Sequence, residues 1–196
     1  TPVNVGEAEA IGRGAVYLTG LDDVIVASIG TGTAFVHAKG GVYTHLCGTG
    51  VGAGTLSGLA VKVLGITNMR ESDRMAMAGN TNRVDLTIGD FVEMHGQLAA
   101  DLTASNLARR NPDATAEDWA AGLATLIFQV VGTMCLLACR GCGAKGVVVT
   151  GAIADTAPTR ANFARFVEGY GLDYFVPEHS ACSTAIGTAL CARYAK

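Results

Sequence analysis

Apolar and polar positions along this chain alternate between a helical and a strand rhythm. Residues 7–18, EAEAIGRGAVYL, carry apolar and small side chains at helical spacing, and their two glycines would let a helix press closely against another. The stretch 22–29, DDVIVASI, is β-branched and runs into GTGT. With 34–38, the turn Lys39-Gly40-Gly41 and 42–46 it predicts three antiparallel strands. After a second glycine cluster, CGTGVGAGT, residues 56–64 read as a helix closed by Gly65, and the polar stretch 67–111 holds one or two shorter helices. Thr115 and Asp118 have capping-box spacing, with Asp in place of the usual Glu or Gln, and 117–140 is apolar at nearly every third or fourth position. That predicts a long, largely buried helix. A strand over 146–150 closed by Gly151, a helix over 159–170, a short strand over 173–176 and a terminal helix over 180–194 complete the pattern.

From residue 22 onward the order is βββααβαβα, which is not the strict alternation of a doubly wound sheet. It matches an α/β, ribonuclease-H-like topology: a mixed sheet of three antiparallel strands plus parallel βα units, flanked by helices. At 196 residues, with 49% hydrophobic and 16% charged, the chain has room for one packed domain or one domain with a piece of another. Its net charge of −3, from 14 basic and 17 acidic residues, leaves no basic stripe for a phosphate backbone, so nucleic acid is not an expected partner. Mean hydropathy is high at +0.34. The apolar runs are nevertheless broken by glycine and read as shorter than the roughly 18–20 residues of a bilayer span, which favours core over membrane. The opening TPVNVGEAEA has no secretory pattern, so a reducing cytoplasm is the expected compartment and the six cysteines are expected as thiols.

Cys135, Cys139, Cys142 and Cys191 fall on or just past expected helices, where cysteine packs as a small hydrophobe. The competing reading is a metal or redox role for Cys139-Arg140-Gly141-Cys142; a zinc site would then need His179 or Cys182 from far along the chain. No metal ligand set is assigned. His37 and His95 read as surface or satisfied residues, and Arg109-Arg110 as a solvated helix end.

Glycine is the informative excess, at 26 residues against 4 prolines. The turn Gly30-Thr31-Gly32-Thr33 can converge backbone N–H groups and hydroxyls on an anion such as a phosphoryl group, or it is simply a turn. The second cluster, Gly48 to Thr55, runs into a helix N-terminus, where donors and a positive helix end would coincide. Gly151 ends a parallel strand, where open α/β sheets place ligands.

Taken together and in order, these motifs resemble the second domain of the sugar kinase, heat-shock ATPase and actin superfamily, and within it the type II pantothenate kinases. The resemblance covers nearly the whole chain. It rests on Ser28-Ile29-Gly30-Thr31-Gly32-Thr33, on the loop Cys47 to Gly54 with Gly58-Leu59 after it, and on Met75-Ala76-Met77-Ala78-Gly79-Asn80 through Val84-Asp85-Leu86. Ala104 to Ala108 and Thr184 to Leu190 add looser matches.

The resemblance implies ATP-dependent phosphoryl transfer to a primary hydroxyl of pantothenate or a related molecule, with ATP and Mg²⁺ as cofactors. Gly30, Thr31, Gly32 and Thr33 would cradle phosphate oxygens; Gly52 and Gly54 would floor the space between nucleotide and acceptor; Gly151 would lie beneath the adenosine. His45, Thr49 and Gly50 would face the acceptor. His45 stands where the family usually carries an Arg for the pantothenate carboxylate, and an imidazole is a weaker, pH-dependent partner. The family's D-x-G-G-T hairpin does not occur in this sequence, and its catalytic glutamate is expected outside it as well. Residues 1–20 are therefore expected to be a hinge helix with a remnant of a first domain, and 21–196 the second domain. The helices around 9–15 and 185–190 are expected to cross at their glycines. Expected partners are a second copy through helix 117–140 or a separate N-terminal half. The alternative is a catalytically incomplete nucleotide-binding subunit with a regulatory or assembly role.

Overall fold

The computed structural model describes residues 4–92 and 99–194; His95 lies outside them. In chain order the helices are α1 (Glu7–Thr19), α2 (Ala53–Leu59), α3 (Met69–Ala78), α4 (Ala116–Cys142), α5 (Ala157–Tyr170) and α6 (Ser183–Tyr194). The strands are β1 (Val24–Ile29), β2 (Thr33–Lys39), β3 (Val42–Thr49), β4 (Leu86–Thr87), β5 (Thr103–Ser105), β6 (Val147–Thr150) and β7 (Tyr174–Phe175). The described chain forms two compact units, Thr1–Gly54 with Val130–Lys196, and Thr55–Gln129.

The first unit holds a five-stranded sheet in the order β3-β2-β1-β6-β7. The pairs β1–β2 and β2–β3 are antiparallel, and β1–β6 and β6–β7 are parallel, which is the expected mixed sheet. Alternate residues of β1 serve opposite faces. Val24 and Val26 join Val36, Ala38 and Val148 against Ile11 and Ala15 of α1, while Ile25, Ala27 and Ile29 are equally buried on the other face. Burial on both faces explains why VIVASI and VVVT read as near-continuous apolar runs. The expected crossing of α1 and α6 is present. A Cβ on Gly14 would fall on the Ser183 carbonyl group and one on Gly187 on the Ala10 carbonyl group, so only glycine allows the two backbones to lie in contact.

The second unit contains most of the polar stretch. After α2 the chain loosens into a wider π turn, Ala60–Leu64, which ends at Gly65 in the left-handed region at φ 70°. α3 is capped by Asn68, whose Oδ1 accepts from the Arg70 amide at 3.1 Å. The ribbon of β4 and β5 was not expected from sequence; its strands have two and three residues, too short for any alternation to show. The Thr115–Asp118 capping box is formed: the Asp118 amide donates to Thr115 Oγ1 at 3.3 Å, and Asp118 Oδ2 accepts from the Thr115 amide at 2.9 Å. Asp118 also accepts from the Asn80 amide and from Arg83 Nε.

α4 is long and apolar enough to cross a bilayer by length and composition, longer in that respect than the broken runs suggested. In its most apolar stretch 61% of residues are buried inside the protein. Among the described cysteines, all free, Cys135, Cys139 and Cys191 are buried as expected of small hydrophobes, while Cys47 and Cys182 are exposed.

Candidate functional site

At the C-terminal end of β1 the two glycine loops of the first unit pack backbone against backbone. A Cβ on Gly32 would lie 2.5 Å from the Thr49 carbonyl oxygen. One on Gly52 would lie 2.6 Å from the Gly32 carbonyl oxygen and 2.8 Å from that of Gly30, and one on Gly54 would lie 2.9 Å from that of Thr31. These three glycines are therefore required by loop-to-loop contact. Gly30 is different, since the nearest atom to its added Cβ is 3.8 Å away.

This packing also decides which donors remain available. The amides of Ala53 and Gly54, at the start of α2, donate to the carbonyls of Gly30 and Thr31 at 2.8 and 3.0 Å. The helix end that the sequence offers as an anion site is thus bonded to the first loop. The Gly30 amide donates to the Gly32 carbonyl at 2.8 Å, and the Thr33 hydroxyl donates to the Val51 carbonyl at 2.8 Å. What is left on the first loop is the amides of Thr31 and Gly32 and the Thr31 hydroxyl, which have no partner among the described residues.

Those groups border an open cleft of about 580 Å³, lined by Glu7, Ser28, Gly30 to Ala34 and Gly48 to Gly50. Its floor is one rung of small residues running across the sheet: Gly48 opposite Ala34, and Ala34 opposite Ser28. Glu7, in the first turn of α1, supplies a carboxylate on the rim. Among the described residues lining the cleft it is the one acidic side chain. The sequence reading expected the carboxylate of the site outside this chain, and it had no local signal for Glu7, which reaches the loops only because α1 packs on the sheet.

Of the expected site residues, Gly30, Thr31, Gly32, Thr33, Thr49 and Gly50 come together at the cleft. Gly52 and Gly54 stand behind it as spacers between the loops and are not among its lining residues. Gly151 has φ 106°, and a Cβ there would meet Ile29 backbone atoms, so this glycine lets the end of β6 pass close to the end of β1. His45 lies on the exposed edge strand β3 opposite Val36, on the α1 face of the sheet but outside the cleft lining.

The residues fit a phosphate-bearing ligand: two unpartnered amides and a hydroxyl belong to residues that line an open cleft. They do not form a metal cage. No group of three or more His, Cys, Asp or Glu able to hold a metal occurs among the described residues.

Comparison with known proteins agrees with this architecture. The Fumble family model matches residues 23–176. The type II pantothenate kinase of Staphylococcus saprophyticus is 26% identical over 174 residues, covering 86% of this chain and 66% of that protein. That of Staphylococcus aureus is 28% identical over 176 residues, covering 85% of this chain and 65% of that protein. The chain thus spans just under two thirds of the length of these relatives. Among solved structures, component A of the Acidaminococcus fermentans (R)-2-hydroxyglutaryl-CoA dehydratase superposes with a TM-score of 0.65 at 18% identity, over 98% of this chain and 70% of that one. The activator of the 2-hydroxyisocaproyl-CoA dehydratase of Clostridium difficile, with bound ADPNP, gives 0.65 at 17% identity, over 96% of this chain and 66% of that one. The shared fold is that of the actin-like ATPases.

Proposed function

The chain belongs to the Fumble family, and from that premise we propose that it forms the phosphate-binding part of an ATP-dependent kinase whose acceptor is the primary hydroxyl of pantothenate or a close analogue, the first step of coenzyme A biosynthesis. The observation that carries this reading is the pair of unpartnered amides, Thr31 and Gly32, left over by the loop-to-loop packing and belonging to residues that line one cleft with Glu7. The relatives named as type II pantothenate kinases and the nucleotide analogue bound to a protein of the same fold support it.

In this reading the Thr31 and Gly32 amides and the Thr31 hydroxyl hold phosphate oxygens, while Gly30, Thr33, Gly52 and Gly54 keep the loop in shape. Gly151 leaves space beneath the adenosine. Thr49, Gly50 and, from the strand edge, His45 border the acceptor. Glu7 takes the proton from the acceptor hydroxyl as its oxygen attacks the γ-phosphorus, a role worth roughly 10²–10⁴-fold in rate. Mg²⁺ carried by the nucleotide phosphates would neutralise charge on the transferring group, and the cleft offers it at most the Glu7 carboxylate. α1 and α6, in backbone contact at Gly14 and Gly187, form the hinge toward a half bearing D-x-G-G-T, on the same or a separate polypeptide. Self-association through 117–140 would use a narrow stripe, because only Thr133, Leu137 and Arg140 are exposed over that span.

The test is calorimetric titration with ADP, together with a coupled ADP-release assay with pantothenate, with and without a polypeptide carrying the hairpin. We expect ADP binding by the chain, strong turnover only in the presence of the hairpin, and a loss of about 10²–10⁴-fold in Glu7→Gln with ADP affinity kept. ADP binding without turnover in any combination would favour a regulatory or assembly subunit. Absence of ADP binding would sink both readings.

A further inference from the structure

The floor rung of the cleft continues one strand further than the cleft itself. Ser28 of β1 is the parallel partner of Thr150 of β6, so Gly48, Ala34, Ser28 and Thr150 form one row across four strands. Their side chains share the face on which Val36, Val26 and Val148 pack against α1. Below this row the inner strands present Val36, Val26 and Val148 on that face, with His45 at the β3 edge; at the row the inner strands turn to two hydroxyls. Thr150 is wholly buried, and its Oγ1 has no hydrogen-bond partner among the described residues. The Ser28 hydroxyl, half-buried on the cleft floor, has none either.

A buried hydroxyl left without a partner is costly, and folds rarely keep one without a use. Adjacent strands lie about 4.8 Å apart, so two hydroxyls on one rung need only rotate to bond each other. Resting on the kinase reading above, we infer that Ser28 and Thr150 form an acceptor-recognition relay. Thr150 donates to Ser28 Oγ, and Ser28 donates to a neutral oxygen of the acceptor that sits next to its reacting hydroxyl. The bare Gly48 and the single methyl of Ala34 let that part of the acceptor lie directly on the sheet. A neutral oxygen fits this end of the cleft because Glu7 on the rim disfavours a second anion, whereas the phosphates are served by Thr31 and Gly32. In pantothenate the matching group is the secondary hydroxyl. The substrate class is then an alcohol with a second hydroxyl close to the one phosphorylated. Ser28 touches substrate; Thr150 is a positioning residue.

The experiment is calorimetric titration of the full chain with pantothenate, with the analogue lacking the secondary hydroxyl, and with ADP, each measured without the other ligands. Wild type is compared with Ser28→Ala, Thr150→Val and Thr150→Ser, and thermal melts check folding. Removal of one such hydrogen bond is expected to weaken pantothenate binding about three- to tenfold in Ser28→Ala, and less in Thr150→Val. Thr150→Ser should restore it, and ADP affinity should stay within about twofold throughout. The Ser28→Ala loss should disappear with the deoxy analogue. An equal loss on both acceptors, unchanged pantothenate affinity in either hydroxyl-deleting variant, or no pantothenate binding by wild type would overturn the relay. Loss of ADP binding by wild type would instead overturn the nucleotide reading.

Discussion

Replacing Gly187 by Ala should destabilise the protein, although alanine is the better helix former. In the interior of α6 the exchange would by itself favour the helix by up to about 1 kcal/mol. The added Cβ, however, would lie 2.8 Å from both the Ala10 carbonyl carbon and the Gly14 amide nitrogen, and closer still to the Ala10 carbonyl oxygen. Ordinary contacts begin near 3.4 Å; the two atoms at 2.8 Å alone would require a shift of about 0.6 Å, and the nearer carbonyl oxygen requires α1 and α6 to part by more than that. The obstacle is backbone of a neighbouring helix and cannot rotate aside. Overpacking of this kind costs about 1–3 kcal/mol, and rigid backbone puts it at the upper end. A net loss of about 2 kcal/mol follows, or roughly 4–8 °C in melting temperature for a chain of this size. Gly141 and Gly169 provide the control, because both lie in helices with open space where a Cβ would go. Their alanine variants should melt at or slightly above wild type. Calorimetric or far-ultraviolet melts of the three variants decide the matter. A Gly187→Ala protein as stable as Gly169→Ala would refute the backbone contact between the helices.

The two glycine loops separate by the same logic. Gly52→Ala should lower stability and ADP affinity together, since its Cβ meets the Gly30 and Gly32 carbonyls, whereas Gly30→Ala should melt like wild type and show its effect only in ADP titration. Equal melting losses in both would contradict the packing. The two buried aspartates of the second unit should give opposite pH slopes. For Asp118, burial raises the carboxyl, but the donors from Asn80, Thr115 and Arg83 outweigh it and hold it below the ordinary range. Its stabilising contribution relative to Asp118→Asn is therefore full above the unfolded-state value and disappears as pH falls through the folded-state one. For Asp85, burial outweighs the bonds from Leu107, Thr103 and Asn106 and pushes the carboxyl up. Its ionised form is disfavoured by folding, so wild type should gain on Asp85→Asn as pH falls from the raised folded value toward the unfolded one. Urea melts across that range that show the same sign for both residues would be incompatible with these environments.

The elements were legible where local chemistry is strong. The β-branched run of β1, the Gly40-Gly41 turn, the Thr115 cap, the VVVT strand and the order of the five main-sheet strands all follow from propensity and period, which neighbours in sequence determine. The glycine clusters pointed to the candidate cleft for the same reason, since a chain does not place so many bare residues together without a close approach. What each glycine approaches was decided only in three dimensions. Gly32, Gly52 and Gly54 answer to one another's backbones, Gly151 answers to Ile29, and Gly14 and Gly187 answer to the opposite helix. Whether an amide is free for a ligand is likewise a property of the whole unit. The helix end at Ala53 looked available in sequence and is bonded to Gly30, while Thr31 and Gly32 are left open. Glu7, twenty and more residues from either loop, enters the cleft through the packing of α1, and Thr150 joins Ser28 only through strand register. Periodicity records which face of an element is buried; it carries no information about what that face meets.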